Sequence, residues 1–140
     1  MNRKFLIPFV CLVIAINISI GITESTNQQK TAQTAEIRRV EVEAFSKALT
    51  EQGSVLLDVR TARELESGHI KNAINLDFHA SDFETMVPKL DKSKNYLIYC
   101  AGGARSALAC KKMKQMGFSK LIDLAPGFSG WKQAKKPVEI

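Results

Sequence analysis

The sequence has no basic segment interleaved with aromatic residues, although its 140 residues carry a net charge of +6 at pH 7. Proteins that bind nucleic acid commonly gather such residues on one face. The surplus charge lies mostly on lysines of the C-terminal third, a pattern typical of a solvated surface. These are Lys111, Lys112, Lys114, Lys132, Lys135 and Lys136. We therefore expect no nucleic-acid partner.

The chain is also short and contains few cysteines. Its length leaves room for one ordinary domain and little else. Of the three cysteines, Cys11 lies in the N-terminal apolar run, and the sequence after that run contains two, Cys100 and Cys110.

The N-terminal segment has the layout of an export signal. Residues 1–4 are basic, and residues 5–20 are almost wholly apolar. The small residues Ser19 and Gly21 predict cleavage after Gly21, and Ser25 marks a second cleavage site. Removal of residues 1–21 lowers the net charge to +4, because Arg3 and Lys4 are lost. We expect an exported protein, periplasmic or secreted.

Two alternatives stay open for this segment. Residues 5–22 are long enough for an uncleaved membrane anchor, and the protein contacts a membrane only in that case. A lipid-modified Cys11 is the weaker alternative, because Val10 before it is not a small residue. Residues 22–36 are predicted to form a flexible leader, since they lack aromatic residues and apolar periodicity.

Short apolar runs alternate with helical patterns in residues 37–140, the predicted domain. Thr61 and Glu64 form a capping-box pattern at the start of one helix. Alternating strands and helices predict an α/β fold with a central parallel sheet and helices on both faces. Strands are predicted over 55–59, 73–76, 96–99 and 120–124, and helices over 41–51, 61–67, 81–87, 105–116 and 127–134.

The segment CAGGARS, residues 100–106, follows one of these strands and leads into a helix. In parallel sheets ligands bind at the carboxyl ends of the strands, where Cys100 lies. Glycines and small side chains leave the loop amides uncovered, so that they and the helix N-terminus form an anion site. The predicted binding loop comprises Ala101, Gly102, Gly103, Ala104, Arg105 and Ser106.

This environment, together with the cation of Arg105, is expected to lower the Cys100 pKa from about 8.5 into the range of roughly 3.5–7.5. Cys100 is then a nucleophile at neutral pH. The alternative is an inert cysteine buried at a strand end.

Three motifs resemble those of rhodanese-like domains. CAGGARS is similar to the C-x-x-G-x-R-S active-site loop of that family. LLDVR at 56–60, Glu64, GHI at 68–70 and NAINL at 72–76 resemble its first signature. Gly117-Phe118, Leu124, Gly127, Trp131 and Pro137-Val138 resemble its C-terminal part. The resemblance extends over residues 37–140.

The resemblance implies a rhodanese-type sulfurtransferase. Cys100 would take a sulfane sulfur from thiosulfate or a similar small donor, hold it as a persulfide, and pass it to cyanide, a thiol or a protein acceptor. It implies no metal and no organic cofactor. A sulfur carrier loaded by a partner protein, with little turnover of its own, is the alternative.

The loop differs from the corresponding loops of rhodanese-like phosphatases and of family members that use thiosulfate well. Rhodanese-like phosphatases carry one more residue between cysteine and arginine, and the four residues found here favour sulfur over the larger phosphate. Family members that use thiosulfate well often have basic side chains in the loop, where this chain has Ala101 and Ala104. Thiosulfate is therefore an uncertain physiological donor.

Asp58 and Arg60 end a strand on the same edge as Cys100 and are candidate supporting residues. They could brace the loop or meet a substrate, and an ion pair of Arg60 with Glu64 is the structural alternative. Asp58 could instead hold Arg105.

Three further residues are predicted to be structural. His69 is expected to be packed and hydrogen-bonded, and Trp131 to fill the core. Cys110 falls on the buried face of its helix, too far along it for an expected disulfide with Cys100.

Overall fold

A computed structural model describes residues 35–140, which form a parallel five-stranded sheet with helices on both faces. The predicted export signal, the membrane-anchor alternative and most of the predicted leader lie outside these residues. The strand order is β1-β5-β4-β2-β3. The elements are β1 (Glu36–Val40), α1 (Val42–Ala48), β2 (Ser54–Asp58), α2 (Ala62–Glu66), β3 (Ile74–Asn75), α3 (Phe83–Met86), a 3-10 turn (Val87–Lys89), β4 (Asn95–Tyr99), α4 (Ala104–Gln115), β5 (Lys120–Leu124) and α5 (Gly127–Gln133).

The two faces of the sheet bury separate hydrophobic clusters. Successive β4 residues alternate between them, because side chains of a strand point to opposite faces. Ile98 packs with Met113 of α4 in one cluster, while Leu97 packs with Phe45 of α1 and Trp131 of α5 in the other. The predicted α/β class, with helices on both faces, is confirmed.

The four predicted strands are all present, and each predicted helix is found within its expected range or one residue from it. The short helix predicted over 81–87 is α3, and it continues into the 3-10 turn. The strand predicted over 73–76 is reduced to the two residues of β3 at a sheet edge.

β1 was not predicted. Its sequence EIRRV is mostly charged and exposed, so it lacks the apolar run expected of a strand. It pairs in parallel with β5 along its whole length, from Glu36 opposite Lys120 to Val40 opposite Leu124. Backbone pairing at an edge therefore determines this strand more than burial does.

No helix within residues 35–140 is both long and apolar enough to cross a lipid bilayer.

Candidate active site

Cys100 directly follows β4 and is 1% exposed, at the carboxyl edge of the sheet. The loop turns within three residues, and α4 begins at Ala104. Gly103 is the N-cap and has a φ of 88°, a left-handed conformation that favours glycine. A Cβ at Gly103 would overlap the carbonyl oxygen of Ala125, so this residue must also be small.

The Cys100 sulfur accepts a hydrogen bond from its own loop. The Gly103 amide donates to Sγ at 3.1 Å. Burial by itself raises the thiol pKa, but the amide and hydroxyl of Ser106 and the amides of Gly102 and Gly103 outweigh it and lower that pKa. The predicted direction of the shift is confirmed, and these loop groups are its main favourable cause.

The first turn of α5 packs against the loop and hydrogen-bonds to it. The Phe128 amide donates to the Cys100 carbonyl at 2.7 Å, and the Ser129 amide donates to the Ala101 carbonyl at 2.9 Å. Gly127 has a φ of 60°, and a Cβ there would lie 2.6 Å from the Ala101 carbonyl oxygen. The C-terminal motif of the sequence thus packs directly against the cysteine loop.

Arg105 pairs with Glu64 of α2. Its two terminal nitrogens donate to the Glu64 carboxylate at 2.8 and 2.7 Å. Glu64 also completes the predicted capping box with Thr61, which is confirmed. The hydrogen bonds from Arg105, opposed by burial and aided by those from Thr61, lower the pKa of Glu64 to about 2. The suggested contact of Asp58 with Arg105 is wrong.

Arg105 remains close to the Cys100 sulfur despite this pairing. Its pKa is raised first by the hydrogen bond to Glu64 and more weakly by charge on Cys100. The guanidinium therefore contributes to the field at the loop, but its hydrogen-bonding edge is occupied by a carboxylate.

Asp58 and Arg60 form a buried ion pair with each other. Arg60 donates from Nε to Oδ1 at 2.9 Å and from a terminal nitrogen to Oδ2 at 2.5 Å. The same nitrogen donates to the Gly68 carbonyl at 2.8 Å, and the guanidinium lies 4.2 Å from the centre of the Phe128 ring. Arg60 is 3% exposed. The predicted ion pair exists, but its partner is Asp58 and not Glu64.

Arg39 of β1 is a contributor that the sequence analysis missed. One terminal nitrogen donates to the Gly103 carbonyl at 3.1 Å and to Asp123 Oδ2 at 2.5 Å, and the other donates to the Ala125 carbonyl at 3.2 Å. It was missed because β1 was not recognised. The sequence signal that could have found this pair is Asp123, the one acidic residue of the apolar strand KLIDL, because a buried carboxylate needs a partner.

The three residues predicted to be structural behave as such. Trp131 is 3% exposed, and its indole donates to the Pro137 carbonyl at 2.8 Å. The His69 ring nitrogen Nδ1 lies 3.2 Å from the Leu65 carbonyl oxygen. Cys110 is fully buried, and burial raises its pKa.

Cys100 and Cys110 are both free thiols. Within residues 35–140, no group of three or more histidine, cysteine, aspartate or glutamate side chains is arranged to hold a metal ion.

Comparison with known proteins places the chain in a family. The rhodanese-like domain family matches residues 41–134, which is most of the chain. The chain therefore belongs to the rhodanese-like family, as the three motifs indicated.

Its relatives include sulfurtransferases. A sulfurtransferase of Allochromatium vinosum is 30% identical over 103 residues, which cover 73% of this chain and 94% of that protein. The thiosulfate sulfurtransferase GlpE of Pseudomonas savastanoi is 36% identical over 98 residues, covering 69% of this chain and 89% of GlpE.

The fold is similar to that of solved rhodanese structures. A rhodanese-related protein from Thermoplasma volcanium superposes with a TM-score of 0.65 at 28% identity, covering 73% of this chain and 97% of that one. The family supports sulfur transfer or sulfur carriage as the general function.

Proposed function

We propose that the protein is a sulfurtransferase that carries sulfane sulfur as a persulfide on Cys100. The observation that supports this most strongly is the hydrogen bond from the Gly103 amide to the buried Cys100 sulfur, in a loop that lowers the pKa of that thiol. A lowered pKa increases the thiolate fraction of Cys100, and the thiolate is the reactive form.

The reaction proceeds in two displacements. The Cys100 thiolate attacks the outer sulfur of the donor, a sulfur–sulfur bond forms, and the rest of the donor leaves with the electron pair of the broken bond. A thiolate or cyanide then attacks the outer sulfur of the persulfide, and Cys100 leaves as a thiolate. Loop amides stabilise the negative charge on sulfur in both steps, because they are already aimed at it.

The size of the cradle supports sulfur over phosphate. Four residues separate Cys100 from Arg105, and Gly103 packs so closely on the Ala125 carbonyl that the loop has no room to widen at that point. Arg105, the side chain best placed to bind an oxyanion, is held by two bonds to Glu64. A phosphate would find neither the space nor the unpaired guanidinium that it needs.

The pairing of the arginines near the site affects how strongly an anionic sulfur donor is attracted. Arg39 and Arg105 at the loop, and Arg60 after β2, are each paired with a carboxylate: Arg39 with Asp123, Arg60 with Asp58 and Arg105 with Glu64. A dianion such as thiosulfate would then be attracted mainly by amides and the α4 N-terminus. We expect thiosulfate to load Cys100 with a high KM.

Intact mass spectrometry tests the persulfide. The protein is incubated with thiosulfate and then with cyanide. We expect a gain of one sulfur that cyanide removes as thiocyanate. The variant Cys100→Ser should not load, whereas Cys110→Ala is a matched control that keeps the loading site. Sulfur that is still gained by Cys100→Ser in a form that cyanide discharges would overturn the mechanism.

A sulfur carrier loaded by a partner protein is the second candidate. The paired arginines favour it, since they weaken the capture of a small anionic donor. The Bacillus subtilis protein YrkF, whose name describes a sulfur carrier, is 31% identical over 96 residues, although this chain covers only 51% of its length. Slow turnover with every small donor, together with rapid loading from a protein persulfide, would favour the carrier.

We further propose export, with cleavage after Gly21 and a periplasmic or secreted mature domain. The basic residues 1–4 and the apolar residues 5–20 support this. The mass of the protein recovered from an exporting host locates the cut. A full-length mass in the membrane fraction would favour the anchor formed by residues 5–22.

A further inference from the structure

Two buried polar atoms near Cys100 have no hydrogen-bond partner among residues 35–140. They are Ser106 Oγ and Asp123 Oδ1, on side chains that are 0% and 1% exposed. Buried polar groups nearly always find a partner, so two orphaned atoms in one region require an explanation.

The sheet brings Asp123 and Cys100 to the same face. Asp123 on β5 lies opposite Ile98 of β4. Cys100 follows Ile98 by two residues, and side chains two apart in an extended segment share a face. Ile98, Cys100 and Leu121 pack in one hydrophobic cluster, which places Asp123, two residues after Leu121, on that face as well.

Ser106 lies on the helix that covers this face of the sheet. It belongs to the first turn of α4, whose residues Ala109 and Cys110 pack on the same face of the sheet. Its hydroxyl is buried there without a partner, and it contributes to lowering the pKa of both Cys100 and Asp123.

The charged and titratable groups facing Asp123 come from three elements. Arg39 of β1 donates to Oδ2 at 2.5 Å and leaves Oδ1 unused. The Cys110 thiol of α4 lies close enough that Asp123 raises its pKa in addition to burial. Cys100 stands at the end of β4. Burial raises the pKa of Asp123 despite Arg39 and Ser106, whereas the pKa of Cys100 is lowered.

We propose that Asp123 is a positioning residue that takes up the proton of the Cys100 thiol through the Ser106 hydroxyl. The sulfur–hydrogen bond breaks, and its electron pair stays on Sγ. The proton passes to Ser106 Oγ while the Ser106 hydroxyl proton passes to Asp123 Oδ1. The negative charge thus moves from Asp123 to the thiolate within the loop amides.

This arrangement satisfies both orphaned atoms. The protonated Oδ1 of Asp123 donates to Ser106 Oγ, and the Ser106 hydroxyl donates to Cys100 Sγ. Asp123 Oδ1 then has one partner and Ser106 Oγ has two, and the thiolate gains a donor in addition to the Gly103 amide. The inference rests on the proposed function only in taking Cys100 as the reacting group.

The pH dependence of Cys100 alkylation by iodoacetamide tests the inference, followed by peptide mass and without any sulfur donor. Because Cys100 and Asp123 share one proton, the wild-type rate should rise with pH in two steps separated by a plateau. Asp123→Asn removes one member of the pair and should leave a single step. Asp91→Asn, a carboxylate before β4 and therefore at the opposite edge of the sheet, is the control and should keep both steps.

Variants of Ser106 provide an independent measurement. Ser106→Ala removes the hydroxyl that would link Cys100 to Asp123. It should lower the plateau rate about tenfold, the cost of losing a hydrogen bond to a charged group. Ser106→Thr keeps the hydroxyl and should restore most of that rate. If Asp123→Asn does not fold, this pair decides the question.

A single wild-type step, or Ser106→Ala with an unchanged plateau, would overturn the relay. Sulfur loading is measured separately by mass. A protein that shows both alkylation steps but never gains sulfur would refute the sulfurtransferase proposal and leave the relay standing.

Discussion

Arg105 of the cysteine loop donates two hydrogen bonds to Glu64, the residue that also caps helix α2. α2 contributes no buried side chain, so its position depends largely on this pair and on its cap. The pair couples the first sequence motif to the active-site loop.

We predict that Glu64→Gln lowers the free energy of unfolding by about 1 kcal/mol at pH 7, the upper end for a partly exposed ion pair. Gln keeps the capping pattern but loses the charge. The pKa of Glu64 is about 2 in the folded protein, below the ordinary value of about 4.3. Its ionisation therefore stabilises the fold fully above the ordinary value, and this stabilisation is lost as the pH falls toward 2. The difference from wild type should be constant above pH 5 and shrink as pH falls toward 2.

Urea unfolding of both proteins at pH 7, 5 and 3 checks this dependence. A difference that grew as the pH fell would contradict it.

Gly103→Ala should destabilise the protein and abolish sulfur loading. The residue has a φ of 88°, and a Cβ would overlap the Ala125 carbonyl, so the expected cost is about 3 kcal/mol or more. The matched control is Gly53→Ala, which has a φ of 80° and nothing within 4 Å of its Cβ position. The control should cost about 1 kcal/mol, the strain of the left-handed conformation, and load normally.

Thermal unfolding and intact mass compare the two variants. Equal losses in both would mean that backbone conformation alone, and not the contact with Ala125, constrains the loop.

Ala104→Lys should improve the use of thiosulfate. Ala104 is exposed at the first position of α4, so an added cation would attract the dianion without disturbing the core. A gain of about 1 kcal/mol corresponds to roughly a fivefold higher kcat/KM. The neutral variant Ala104→Gln has a similar length and should show no gain.

Rates at several salt concentrations test the origin of the gain, which should decline as ionic strength rises. A gain shared by the Gln variant would point to shape and not to charge.

Arg60→Met should lower stability by about 3–5 kcal/mol, because it leaves the buried Asp58 carboxylate without its partner. The double variant Asp58→Asn, Arg60→Met leaves no unpaired charge and should regain part of the loss. Chemical unfolding of the three proteins provides the comparison. A single variant as stable as wild type would show that the pair contributes little.

The sequence predicted the elements that depend on local pattern. The apolar runs at 55–59, 96–99 and 120–124 predicted three central strands, because strands buried on both faces must be apolar throughout. The capping box of Thr61 and Glu64 predicted the start of α2. β1 escaped notice, since an edge strand is stabilised by backbone pairing that leaves little trace in its side chains.

The candidate site likewise has features that local sequence predicted and features that depend on tertiary packing. Cys100, its glycine loop and the direction of its pKa shift followed from a strand end, two glycines and a helix start. The ion-pair partners did not, because which carboxylate meets which arginine depends on how separate elements pack. Glu64 was available to both Arg60 and Arg105 in the sequence, and only the fold assigns it to Arg105.

By itself the sequence determined the α/β class, the motifs and the position of Cys100 at a strand end, since all three arise from contiguous residues whose spacing carries the information. The tertiary structure alone decided the edge strand, the link from Arg39 to Gly103 and Asp123, and the burial of Ser106 and Asp123. These contacts join residues distant in the chain, and no local pattern encodes the packing that brings them together.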